Sequence, residues 1–257
     1  FRRVDDARAL VEPRPVGAVS RPGCPLRRPA GVGQDLVLDR GDDPEPGHSA
    51  GMSLPTPYYD HDGISIYHGD CREILPEVPQ VDLVLTDPPY SDAVKKGALT
   101  FDDTDGRGGK EFVPFCISES ELRHITELCG KILSRWMVMF CDWRHAASFG
   151  TLPPAGLRFV RFGIWNKPDG APQFTGDRPA PGWEAIAILH HPTTKLRWNG
   201  GGSRSVWTFG IEHQNGHPTP KPLDLMQKMI ELFSDGNNLI LDPFMGSGTT
   251  LRAAKDL

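Results

Sequence analysis

A doubly wound α/β fold with a mostly parallel sheet is predicted by three features of the chain. Strand-like and helix-like stretches alternate from Ile64 onward. Two short apolar runs, Val81 to Thr86 and Leu239 to Leu241, each lead into an aspartate, Asp87 and Asp242. The second continues through a glycine turn, Gly246-Ser247-Gly248, into the start of a helix. Alternating strands and helices give a sheet covered on both faces, and ligands bind such sheets beyond the carboxyl ends of the strands.

Taken in order, residues 1–51 begin at Phe1 and are rich in Arg, Pro, Gly and Asp, with no Lys, Trp or Tyr and no periodic apolar face. Such a composition does not bury enough surface to offset its ordering entropy, so this stretch is expected to be disordered, with Met52 as the natural start. From Met52 the texture changes. Ile64 to His68 alternates like a strand and ends in Gly69-Asp70, and Cys71 to Leu75 supplies a short helical turn before Pro76. Val81 to Thr86 is a buried strand, and Pro88 and Pro89 force the chain out of the sheet after Asp87.

Residues 91–110 are polar and glycine-rich, carry Lys95 and Lys96, and suit a mobile lid beside that strand end. Ser118-Glu-Ser-Glu121 is a capping box, and Leu122, Ile125, Cys129, Ile132 and Leu133 then recur at helical spacing, which predicts a helix to about Ser134. Trp136 to Cys141 reads as a buried strand and Asp142 to Phe149 as a short helix. Leu157 to Trp165 and Gly182 to Leu189 are further strands. Leu223 to Phe233 forms a helix opened by His217-Pro-Thr219-Pro-Lys221-Pro222.

Composition bounds the function. The chain has 257 residues, enough for one sizeable core, and nothing in it approaches a membrane span. Its five cysteines are scattered, with no C-x-x-C pair for zinc or redox work, which fits a reducing cytoplasm and no metal. A net charge of −5 argues against a broad nucleic-acid grip, so any such contact must be local. The candidate is the segment 166–216, where Lys195, Arg197, Trp198, Asn199, Arg204 and Trp207 interleave basic groups with indoles suited to phosphates and bases.

Three motifs in one order carry a family resemblance: T-D-P-P-Y at Thr86 to Tyr90, H-P-T-P-K-P at His217 to Pro222, and D-P-F-M-G-S-G-T-T at Asp242 to Thr250. With them, Met52 to Leu257 resembles the S-adenosylmethionine-dependent DNA amino-methyltransferases, in the β-group order that places the catalytic motif first. The resemblance implies a Rossmann-like class I methyltransferase fold acting on double-stranded DNA, as in restriction-modification systems. It also implies that Asp242, Phe244, Gly246, Ser247, Gly248, Thr249 and Thr250 surround S-adenosylmethionine. Thr219 and Lys221 would help hold the cofactor carboxylate, and Asp70 would face its adenine.

The same resemblance assigns catalysis to Asp87, Pro88, Pro89 and Tyr90. An exocyclic base amine is a poor nucleophile because its lone pair is delocalised into the ring. Hydrogen bonds from its two N–H groups to the Asp87 carboxylate and the Pro88 carbonyl would turn that lone pair toward the methyl donor. Pro89 stiffens the turn, and Tyr90 would stack on a base flipped out of the duplex. Adenine N6 is the expected acceptor, because adenine members commonly carry Asp at the first catalytic position. Cytosine N4 is the alternative, and an inactive DNA-binding fragment is a third reading.

Family members continue past the glycine turn with a strand that bears an acid for the cofactor ribose. That strand would lie between those of Ile64 to His68 and Leu239 to Leu241. With the chain ending at Leu257, a C-terminally truncated and weakly active or inactive fragment is expected. Its sheet would then have either a gap or an inward-shifted Ile64 strand.

Overall fold

The computed structural model describes residues 54–89, 117–180, 182–212 and 220–257, together with the backbone of 34–39. Nine strands form one sheet: β1 (Gln34–Asp39), β2 (Tyr59–His61), β3 (Ile64–Gly69), β4 (Val81–Thr86), β5 (Leu133–Cys141), β6 (Arg158–Asn166), β7 (Trp183–His190), β8 (Val206–Thr208) and β9 (Ile240–Asp242). Their order is β2-β3-β1-β9-β4-β5-β7-β6-β8. The helices are α1 (Cys71–Ile74), α2 (Glu119–Ile132), α3 (Trp143–Thr151), α4 (Leu223–Phe233) and α5 (Thr249–Asp256).

Strands β4 and β5 alternate their side chains between two cores, as the pleat requires. Val84, Met137, Met139 and Cys141 pack with Leu122, Ile125 and Cys129 of α2 and Phe149 of α3. Leu83, Leu85, Trp136, Val138 and Phe140 face the other way, onto Leu225, Met229 and Phe233 of α4 and Ala253 of α5. Helices therefore cover both faces of the sheet centre. The capping box forms as expected: Glu121 N–H donates to Ser118 Oγ, and Ser118 N–H donates to Glu121 Oε2 at 3.1 Å.

The parallel order predicted from the strand–helix alternation holds at the centre, where β9, β4 and β5 run parallel. It gives way on both flanks, where β5, β7 and β6 pair antiparallel, as do β2, β3, β1 and β9. The cause is in the connections, because a parallel crossover needs an intervening helix. Residues 167–182 between β6 and β7 contain none, so β7 returns antiparallel and inserts between β6 and β5.

One expectation is corrected at the other flank. Residues 34–39 lie in the stretch read as disordered, yet they form β1. This strand pairs with β3 from Gln34↔Gly69 to Asp39↔Ile64, and with β9 at Val37↔Asp242 and Leu38↔Leu241. It occupies the position between β3 and β9 where a gap or an inward shift of the Ile64 strand was expected, and neither occurs. Two flanking strands with free ladder groups are satisfied by any segment that can adopt extended backbone, and Leu36-Val37-Leu38 can.

Candidate active site

Register brings the predicted motifs to one edge. Leu83↔Ile240 and Val84↔Leu241 pair in parallel, so Asp87 and the turn after Asp242 leave the sheet side by side. Strand β7 runs the opposite way and begins at this edge, with Ala185 opposite Cys141. Strand β6 ends there, with Trp165 opposite Glu184.

The Asp242 carboxylate is buried and organises the turn from within. Thr86 donates to its Oδ1 at 2.7 Å, Thr250 to its Oδ2 at 2.6 Å, and the Phe244 N–H to Oδ1 at 3.0 Å. Burial pushes its pKa up to about 6, with those hydrogen bonds working in the opposite direction. Asp242 and Thr250 therefore hold the glycine turn together rather than present free polar groups at its surface. Gly246 (φ 56°) and Gly248 (φ 79°) take left-handed backbone, which favours glycine, and Gly248 caps α5 without a side-chain bond. Ser247 and Thr249 hydroxyls pair at 3.0 Å, and Phe244 is buried beneath the turn.

Asp70 ends β3 and caps α1, accepting from the Arg72 N–H at 2.9 Å. The Arg72 guanidinium forks onto both of its oxygens and holds the carboxyl below its usual range.

Lys221 is the largest departure from the assignments the motifs imply. Its side chain is only 7% exposed, and it pairs with Asp87 Oδ2 at 2.5 Å and Glu184 Oε2 at 3.2 Å. An ammonium this deeply buried requires nearby carboxylates. Burial opposes its charge, but Asp87 and Glu184 outweigh burial and keep its pKa above the ordinary value. The Phe140 ring centroid lies 5.3 Å from Nζ and that of Trp165 at 5.8 Å. Glu184 also pairs with Lys167, whose Nζ sits 4.3 Å from the Trp165 ring centroid.

Asp87 thus has one oxygen committed. Its Oδ1 is buried and has no hydrogen-bond partner among the described residues. Burial raises its pKa and Glu184 adds to the effect, while Lys221 and Lys167 oppose it. Glu184 and Lys167 are neighbours of this site that motif reading misses. Their signal in the sequence is slight: a lone acid at the start of the apolar run Ala185 to Leu189, and a lysine just after an apolar strand.

Other expected residues lie elsewhere. Pro88 and Pro89 follow Asp87 as expected, whereas Tyr90, Lys95, Lys96, Thr219 and the 91–110 segment lie outside the described residues. Arg197 pairs with Asp235 at 3.2 Å, and its carbonyl accepts from Trp136 Nε1 at 2.6 Å, beside the amino end of β5. Trp198 packs on Phe233, ring centroids 5.0 Å apart. The structure therefore does not bring these two to the Asp87 edge. Arg204 is exposed ahead of the outermost strand β8. No described helix is long and apolar enough to cross a membrane, and no metal-holding cluster of His, Cys, Asp or Glu occurs among the described residues.

An acidic strand end and a glycine turn thus lie side by side at the carboxyl edge of a two-faced α/β sheet, the place where sheets of this class bind ligands. The chain belongs to the N6/N4 DNA methylase family, whose sequence profile matches residues 81–257. It is 27% identical over 226 residues to the type II methyltransferase M.HinfI of Haemophilus influenzae, covering 75% of this chain and 62% of that protein. It is also 27% identical over 238 residues to the type II methyltransferase M1.MboII of Moraxella bovis, covering 75% of this chain and 87% of that protein. Among solved structures, the M1.HpyAVI–SAM complex superposes with a TM-score of 0.54 at 24% identity, covering 73% of this chain and 85% of that one. The cytosine-N4-specific PvuII DNA methyltransferase gives 0.54 at 16% identity, covering 73% and 76%. These structural likenesses bear on the fold.

Proposed function

We propose that this chain transfers the methyl group of S-adenosylmethionine to the exocyclic amine of a DNA base, adenine N6. Family membership and the two type II methyltransferase relatives support the DNA amine as acceptor. The observation that carries the reading is the state of Asp87. Lys221 fixes its Oδ2, and the buried Oδ1 is left as an acceptor at the strand end.

The residues present fit the cofactor. Left-handed Gly246 and Gly248 let backbone approach a ligand closely, and α5 begins there with free N–H groups. Gly246, Ser247, Gly248 and Thr249 would hold S-adenosylmethionine, with Phe244 buried at the turn and Asp70 at the end of β3, across β1 from β9. The cofactor supplies an electrophilic methyl group on a sulfonium. Asp87 Oδ1 accepts one N–H of the target amine and the Pro88 carbonyl accepts the other. Those bonds turn the nitrogen lone pair out of the base plane, so that positioning supplies most of the rate. Because the target amine is paired inside the duplex, the base must leave the stack to reach Oδ1. Tyr90 is assigned to stack on it, and Arg204 with Lys95 and Lys96 to contact the DNA backbone.

The test is nucleoside mass spectrometry of unmethylated genomic DNA incubated with the full chain and S-adenosylmethionine. N6-methyladenine is the expected product. N4-methylcytosine would reassign the base, and unmodified DNA with cofactor bound would remove the activity.

A further inference from the structure

Beside the Asp87 carboxylate lies a group of charges that methyl transfer does not directly use. Lys221 bridges Asp87 Oδ2 and Glu184 Oε2, and Glu184 bridges Lys221 and Lys167. Two carboxylates and two ammoniums form a neutral chain, set against the rings of Phe140 and Trp165. These groups come from three separate segments: Lys221 ahead of α4, Glu184 at the start of β7, and Lys167 just after β6. Buried ion pairs between distant segments are a poor device for stability, since desolvation consumes most of the attraction. Their location beside Asp87 Oδ1, an acceptor left open among the described residues, gives them a different use.

We propose that Glu184 and Lys167 are positioning residues for Asp87: Glu184 holds the Lys221 ammonium on the Oδ2 side, and Lys167 sets the charge that Glu184 exerts there. The proposal rests on the reading that Asp87 accepts the target amine. Sharing Lys221 between two carboxylates keeps the ammonium from moving across to Oδ1, where it would occupy the acceptor. It also leaves Asp87 more basic than a carboxylate that owns its lysine alone, which strengthens the hydrogen bond it offers the amine. The other titratable groups facing Asp87 are Asp242 at the end of β9 and Cys141 at the end of β5. Cys141 is pushed up to about 12 by burial, so it stays uncharged at neutral pH.

The test is the titration of the Asp87 side-chain carbon by NMR in the full chain labelled with ¹³C-aspartate, the resonance being assigned by its loss in Asp87→Asn. Glu184→Gln is expected to lower the midpoint by about one pH unit or more, because a like charge is removed and Lys221 is released to Asp87. Lys167→Met is expected to raise it, because Glu184 then acts uncompensated. A merely structural role gives a different pattern: loosened packing admits water in either variant and lowers the midpoint in both. Shifts of the same sign, or none, would overturn the proposal. Methyl transfer by Asp87→Ala would instead remove the catalytic reading while leaving the two opposed shifts intact, so the two failures are separable.

Discussion

Replacing Lys221 with Met keeps the length and bulk of the side chain and removes its charge. Glu184 retains Lys167, so the uncompensated charge falls on Asp87, whose Oδ1 already lacks a partner among the described residues. Breaking a buried pair by deleting one partner costs roughly 3 to 5 kcal/mol. The Asp87 side chain is 28% exposed, which places the expected loss at the lower bound, about 3 kcal/mol at pH 8. The loss is pH-dependent with a defined sign. Asp87 already has a folded pKa above its unfolded value, and losing the ammonium raises it further. Above the folded pKa the ionised group destabilises the fold, and that penalty is relieved as pH falls through it. Urea unfolding of both proteins at pH 8 and pH 5.5 measures it, with the difference expected to shrink at pH 5.5. A loss below about 1 kcal/mol, as for an exposed pair, or an equal loss at both pH values, would refute the argument.

Asp242→Asn removes a buried carboxyl whose pKa stands at about 6. Between about pH 6 and 4 the folded chain takes up a proton there that the unfolded chain does not, a contribution on the order of 3 kcal/mol. Urea midpoints of the wild type should therefore gain stability from Asp242 on acidification through this window, and the variant should lose that contribution. Val37→Pro deletes an N–H from a strand paired on both sides, at a cost of about 1 to 3 kcal/mol. An unchanged melting temperature would count against β1. Gly248→Ala places a Cβ on left-handed backbone, costing about 1 to 2 kcal/mol, and calorimetry should show weaker S-adenosylmethionine binding.

Much of the centre of this fold is legible in the sequence because it follows local rules. The capping box fixes the start of α2, the continuous apolar run Trp136 to Cys141 fixes β5, and two apolar runs ending in aspartate fix β4 and β9. The flanks are less legible. The direction of β7 depends on the lack of a helix in 167–182, and β1 depends on two distant edges needing a partner, which no local pattern in 34–39 displays. The three-residue strands β2 and β8 are too short for a periodic signal, although Asp62-Gly63 marks the β2–β3 hairpin through left-handed backbone at both positions. In the site, Asp87 and the glycine turn are readable from motifs. The partner of Lys221 is not, because an ion pair spanning 134 positions is set by tertiary burial. Glu184 is hidden for the same reason, as one acid beside an apolar run.

The central claim is that Asp87 Oδ1 accepts the amine that is methylated. Its most direct test compares single-turnover methyl transfer to DNA by the wild type and Asp87→Asn, with S-adenosylmethionine affinity measured by calorimetry on the same samples. The variant keeps the shape of the side chain but loses the charge. Transfer should fall by about 100-fold or more, as when one aimed polar group is removed from an active site, while cofactor affinity stays nearly unchanged. Transfer by Asp87→Asn at the wild-type rate would contradict the claim.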